Sequence, residues 1–171
     1  RFRLVTAPSH EVTAAVAARR LDLGVAARPA VPVEGLAEHP LVRDPFILVT
    51  PRGPVEGAAA LQRLPFLRYD RAQLIGSTIE AHLRNEGAEF PERFEIGAHQ
   101  ALMVLVARGA GWAITTPLGY MRAARLHDRI AAHPLPFTPF ARTISLFSGA
   151  DWASPVPQDI ARIVRELVQT Q

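Results

Sequence analysis

Residues 98–117, AHQALMVLVARGAGWAITTP, decide how this chain folds. The stretch 98–108 is strongly apolar and free of proline, which suits a buried helix. Gly109 and Gly111 then stop it, as glycine does just past a helix end. Residues 112–115, WAIT, read as a short buried strand. Thr116 followed by Pro117 supplies a capping hydroxyl and a proline at the first helical position, so a new helix starts there and runs to about Asp128. Helix, strand and helix in so short a span mark an α/β chain.

The same alternation extends upstream. Residues 2–6, FRLVT, read as a strand, and Ser9 as the cap of an alanine-rich helix over 11–21. Leu23–Ala27 is apolar throughout, as expected of a parallel strand covered on both faces. A loop with Pro29, Pro32 and Gly35 leads to a strand at 46–50, FILVT, ended by the turn from Pro51 to Pro54. A short helix over 55–63, a strand over 66–69 and a loop over 71–76 follow. Ser77 and Glu80 have the spacing of a capping box, which predicts a helix from Ser77 to about Glu86, stopped by Gly87. Phe94–Ile96 reads as a strand. Downstream of 128, residues 133–140 carry three prolines and read as irregular. Residues 143–147, TISLF, form a strand, and Ser154–Pro155 opens a helix over 158–168 with apolar residues at 160, 163, 164, 167 and 168. Strand–helix alternation of this kind predicts parallel sheets with right-handed crossovers. The stretch around 50–140 reads as an insertion into a first lobe, linking two lobes by two strands with a cleft between them.

Composition narrows the chemistry. The 171 residues are 49% hydrophobic and 20% charged, ordinary for a chain that buries a core. No run approaches the roughly 18 apolar residues of a membrane span, and the N-terminus has no signal-peptide pattern. Cysteine is absent, which removes disulfides, thiolate metal sites and a cysteine nucleophile and leaves the compartment open. All 19 basic residues are arginine, so a P-loop lysine and a lysine Schiff base are also excluded. The net charge of +3 is spread evenly: residues 54–140 hold nine arginines against eight acids, the remainder ten against eight. Without a basic block or interleaved aromatics, this chain by itself offers no nucleic-acid surface.

Catalytic motifs are missing. Gly109-Ala110-Gly111 leads from helix into strand, the reverse of a dinucleotide fingerprint, and lacks the third glycine. Ser77 lacks the second glycine of a nucleophile elbow. The six histidines show no i,i+4 pair and no HExxH, so no metal site or cofactor is expected. Asp70 and Asp128 stand isolated in sequence, so no acid–base carboxylate pair is identified. What remains is a set of polar helix starts: Ser9, Ser77, Ala98–His99 and Thr116. In α/β folds, strand C-terminal ends and the helix starts that follow them face one crevice, where free amides suit an anion. Each could equally do no more than cap its own helix.

Leu21-Asp22-Leu23-Gly24-Val25, then Gly35-Leu36, then the run from Leu41 through Arg43, Asp44, Pro45 and Phe46 to Pro51, resemble the core of the effector-binding domain of LysR-type transcriptional regulators. Residues 102–117 and 143–168 fit the same family, and the resemblance spans nearly the whole chain. It implies an α/β fold of the type 2 periplasmic-binding-protein kind, with two Rossmann-like lobes joined by two crossover strands and an effector site between the lobes. Lobe I would comprise 1–49 and 143–171, and lobe II 50–142. The chain would begin at the second strand of lobe I, without that lobe's first strand and helix and without the family's winged helix-turn-helix domain and linker helix.

Carried over position by position, the resemblance implies effector contacts from Ser9, Ala27 and Arg28 in lobe I. In lobe II it implies Leu74, Ile75, Gly76, Ser77, Ala98, His99, Thr115 and Thr116. Arg28 or Arg71 could pair an acidic effector through a bidentate guanidinium. The partner would be a small molecule, an organic acid or aromatic metabolite, with DNA contacted only through the absent domain. A cytoplasmic homodimer or tetramer with no catalytic role is implied. A transport-type solute-binding protein, which would need export, and an enzyme on the same scaffold are the competing readings.

Overall fold

A computed structural model describes residues 3–91 and 94–169. The chain divides into two units: unit 1 holds the residues up to Arg43 and from Arg142 onward, and unit 2 spans Asp44–Ala141.

Unit 1 contains helix α1 (Ser9–Ala17), strands β1 (Leu23–Ala27) and β2 (Leu36–Pro45), most of the later strand β8 (Ala141–Gly149) and helix α6 (Val156–Gln169). Its sheet has the order β1-β8-β2, and β1 runs antiparallel to β8, with Val25 opposite Leu146. Val12 and Val16 of α1 are buried, and a small cluster of Val12, Ala26 and Phe147 forms the core there. On α6 the apolar stripe divides: Ile160 and Val164 pack with Leu41, Leu146 and Ala161, whereas Ile163, Leu167 and Val168 are exposed.

Unit 2 holds β3 (Ile47–Pro51), α2 (Ala59–Arg63), β4 (Leu67–Tyr69), α3 (Leu74–Asn85), β5 (Phe94–Ile96) and α4 (His99–Ala107). It continues through β6 (Ala113–Thr115), α5 (Pro117–Arg122), a 3-10 turn at Ala124–Leu126 and β7 (Ile130–His133). Strands β6 and β7 flank β3 and both run antiparallel to it. Strands β4 and β5 are parallel, and a parallel bridge between Phe66 and Trp112 ties β4 to β6. It follows that β4, β5, β6 and β7 all run one way and β3 runs against them. One core fills the unit: Trp112, with no exposed surface, stacks on Phe66 at 4.5 Å between ring centroids, beside Leu48, Leu102, Met103, Ile114 and Ile130.

Several expectations need correction. The uniformly parallel sheet is not found: β3, the first strand lying wholly in unit 2, opposes β6 and β7, and β8, by which the chain leaves that unit, opposes β1. A strand arriving from outside a unit is not turned by that unit's own crossover helices. Nor is β1 covered on both faces, since Val25 is 54% exposed. Of the expected strand at 2–6, Phe2 lies outside the described residues and 3–6 form none; an apolar run becomes a strand only by pairing. Strand β2 stands where the sequence reads as a loop, because its two prolines, Pro40 and Pro45, are tolerated on a sheet edge. The short strand β7 went unmarked, and α5 ends at Arg122 rather than near Asp128. Gly109 does end α4, with a positive φ of 75°.

Candidate functional site

The shared direction of β4, β5 and β6 brings their C-terminal ends, Tyr69, Ile96 and Thr115, to one edge of unit 2, each followed by a helix start. The loops there are tied to one another. Asp70 Oδ1 accepts the Ala72 amide at 2.8 Å, and the Asp70 amide donates to the Ile96 carbonyl at 3.1 Å. Gln73 Nε2 donates to the Gly97 carbonyl at 2.6 Å. Arg71 donates to Glu95 through its amide at 2.6 Å and through its guanidinium at 3.3 Å. Those hydrogen bonds, the amide first, hold the Glu95 carboxyl below its ordinary range.

Helix α3 starts at Leu74, with Gln73 as its unassisted cap, so the capping box at Ser77 does not form. Ser77 sits within the first turn, its exposed hydroxyl donating to the Leu74 carbonyl at 3.1 Å. Glu80 instead forms an ion pair with Arg68, a buried guanidinium that also donates to the Phe90 carbonyl at 2.5 Å. Arg68 thus occupies the carboxylate that the capping box would have used, in a site where the two side chains are only 7% and 17% exposed. Gly76 is buried, and a Cβ there would fall 2.2 Å from the Asp70 carbonyl oxygen. Leu74 and Ile75 are half-buried, Ile75 against the core.

The densest polar chemistry lies where β4, α4, β6 and α5 meet. The Tyr69 hydroxyl is 2.6 Å from His99 Nδ1 and 2.9 Å from Thr115 Oγ1, and His99 Nε2 is 2.8 Å from the Gly119 carbonyl oxygen. Tyr69 and Thr115 are buried, and Ala98, the cap of α4, is exposed. Thr116 caps α5 as its sequence predicts, Oγ1 accepting the Gly119 amide at 3.2 Å. The buried Asp44 carboxylate accepts the next free amide, that of Leu118, at 3.4 Å. The start of α5 is therefore satisfied from within the chain.

In unit 1, Ser9 is not the cap of α1. Pro8 holds that position, and the Ser9 hydroxyl accepts the Ala27 amide at 3.2 Å, joining the helix start to the end of β1. Arg28 donates to Glu38 at 2.7 Å, and Ser145 donates to the same carboxylate at 2.5 Å. Burial pushes Glu38 up, but the hydrogen bonds from Ser145 and Arg28 outweigh it and hold the carboxyl below its ordinary range. Arg28 and Arg71 each carry an acidic partner already.

The structure thus brings Ser9 and Ala27 together, and Thr115, Thr116 and His99 together. Reading the sequence missed Tyr69, Gln73, Gly119 and Asp44. Tyr69 left a faint mark, a polar-tipped residue closing an apolar strand; Asp44 left none. Thr50, His133 and Glu56 imitate a catalytic triad, but the 3.2 and 3.7 Å contacts both use His133 Nε2, and Thr50 is buried. Among the described residues no group of three or more His, Asp or Glu could hold a metal ion, and no helix is long and apolar enough to cross a membrane.

The family model described as the LysR substrate binding domain matches residues 1–169. The chain belongs to that family. Solved structures similar to this LysR substrate-binding domain are regulatory proteins. An OxyR C206 mutant of Corynebacterium glutamicum aligns with a TM-score of 0.74 at 20% identity, over 96% of this chain and 54% of that one. The bromide-bound regulatory domain of HypT from Salmonella typhimurium aligns with a TM-score of 0.73 at 15% identity, over 96% of this chain and 81% of that one. The CcmR regulatory domain of Synechocystis in complex with 2-PG aligns with a TM-score of 0.75 at 15% identity, over 94% of this chain and 79% of that one. This chain therefore spans about half the length of the OxyR chain. No curated protein sequence matches it. The fold is the mixed α/β, periplasmic-binding-protein-like type 2 fold of LysR regulatory domains. The family and the similar structures are regulatory domains rather than enzymes, and neither favours a transport-type solute-binding protein.

Proposed function

We propose that this domain is the ligand sensor of a bacterial LysR-type regulator that works in the cytoplasm as a homodimer or tetramer. The effector is a small organic acid or aromatic metabolite. One observation carries the reading: three parallel strand ends deliver the starts of α3, α4 and α5 to a single polar edge of unit 2. The groups proposed to contact the effector there are Arg71, Leu74, Ile75, Gly76, Ser77, Ala98, His99, Thr115 and Thr116. An acidic ligand is favoured because helix starts carry partial positive charge, and a neighbour of this fold holds bromide, an anion. Binding does no chemistry. It favours the conformation with the higher affinity, by no more than the affinity difference between the two states, and the regulator's separate DNA-binding domain responds.

The test is a thermal-shift screen of organic and aromatic acids on the purified domain. A true effector at 100 times its dissociation constant adds about 2.7 kcal/mol of stability. Calorimetry of the best hit on Ser77→Ala and Thr116→Ala should show weaker binding than wild type. Unchanged affinity in both variants overturns the site, and a screen without a saturable shift overturns the effector class.

A further inference from the structure

His99 stands at the first position of α4 on the edge proposed to meet the effector, yet both of its ring nitrogens already face atoms of this chain. The Gly119 carbonyl oxygen can only accept, so Nε2 at 2.8 Å must carry a hydrogen. In the neutral imidazole that leaves Nδ1 as an acceptor, and the only way to satisfy its 2.6 Å contact is donation by the Tyr69 hydroxyl. The Tyr69 oxygen in turn accepts from Thr115 Oγ1 at 2.9 Å. The rings of Tyr69 and His99 are nearly parallel, inclined by 7° with centroids 6.1 Å apart.

A second observation points the same way. A Cβ on residue 119 would stand 2.5 Å from Thr115 Oγ1 and 3.2 Å from His99 Cε1, so the network closes only because glycine occupies that position.

We propose that Tyr69 is the positioning residue of the effector-binding edge: the Gly119 carbonyl sets the Nε2–H tautomer of His99 and ties it to α5, and Tyr69, by donating to the bare Nδ1, locks the start of α4 to the end of β4. The proposal deepens the sensor reading and rests on it for the identity of the edge. It also gives His99 a different task from the one the resemblance implies. The ring orients the edge, and any direct contact with effector at this position falls to the backbone of Ala98 and His99. Tyr69→Phe keeps the packed ring and removes only the hydroxyl.

Nitrogen NMR of isotope-labelled histidine tests this without any effector, with the His99 signals assigned by their loss in His99→Gln. In the wild-type domain, Nε2 of neutral His99 should be the protonated nitrogen and Nδ1 the bare one. Tyr69→Phe should move the Nδ1 resonance downfield as it loses its donor, and Thr115→Ser should leave it in place. A proton on Nδ1 in the wild type overturns the proposal even if no variant folds, as does an Nδ1 resonance indifferent to Tyr69→Phe. Neither result touches the sensor reading, which the ligand screen judges separately.

Discussion

The two units achieve stability in different ways. Unit 2 gathers its apolar side chains into one cluster around Trp112, and its sheet is closed on both sides of β3. Unit 1 divides its core into two clusters, Val12 with Ala26 and Phe147, and Leu41 with Leu146 and Ala161, and leaves Val25, Val31 and Ile163 exposed. In their place it uses polar ties, with Glu38 joining Arg28 to Ser145 and the Ser9 hydroxyl holding the Ala27 amide. Apolar burial is indifferent to pH, whereas a carboxylate holding two donors is not. Unit 2 has a tie of the same kind, Glu95 with Arg71, but it lies at the polar edge rather than in the Trp112 cluster, so acid should loosen unit 1 before it reaches the centre of unit 2.

The sharpest challenge to this contrast is Trp112→Ala. It empties the centre of unit 2, breaks the stack on Phe66 and leaves the Leu64 carbonyl without its 3.1 Å donor. The loss should be about 3–5 kcal/mol by denaturant titration. Next is Arg68→Ala, which strands Glu80 in a site where its side chain is only 17% exposed; a drop of about 3 kcal/mol is expected. Leu146→Ala, in the smaller clusters of unit 1, should cost about 2 kcal/mol, because a thin core relaxes into the gap. A larger loss for Leu146→Ala than for Trp112→Ala would invert the comparison.

The gentlest test is acid. Because the folded carboxyl of Glu38 titrates below its unfolded value, its contribution is complete above the ordinary carboxylate range and disappears as pH falls through the lowered folded value. Hydrogen exchange should show unit 1 amides losing protection in that window before those of β3. Glu38→Gln should be less stable at neutral pH and should lose that acid dependence.

Much of this was legible in local chemistry. The run 98–117 holds its helix, its glycine stop, its strand and its threonine cap where the sequence places them, because each depends on neighbours within a few residues. Strand direction was not legible, since it is set by which strands meet: β3 pairs with β6 and β7, both far along the chain. Strand β2 was hidden by prolines that only an edge permits. The site follows the same divide. Thr116 was found by its own proline, whereas Tyr69 meets Thr115 across 46 positions and Asp44 reaches Leu118 across 74. Ser77 misled because its spacing to Glu80 is right for a cap, and only the tertiary partner Arg68 shows why the pair is not used.

Gly76 has a consequence for how such a sensor can diversify. With the Asp70 carbonyl pressed against it, the position admits no side chain at all. If the proposed site is right, any retuning of this rim must therefore be written into its neighbours, above all Ser77 and Ala98, which are exposed.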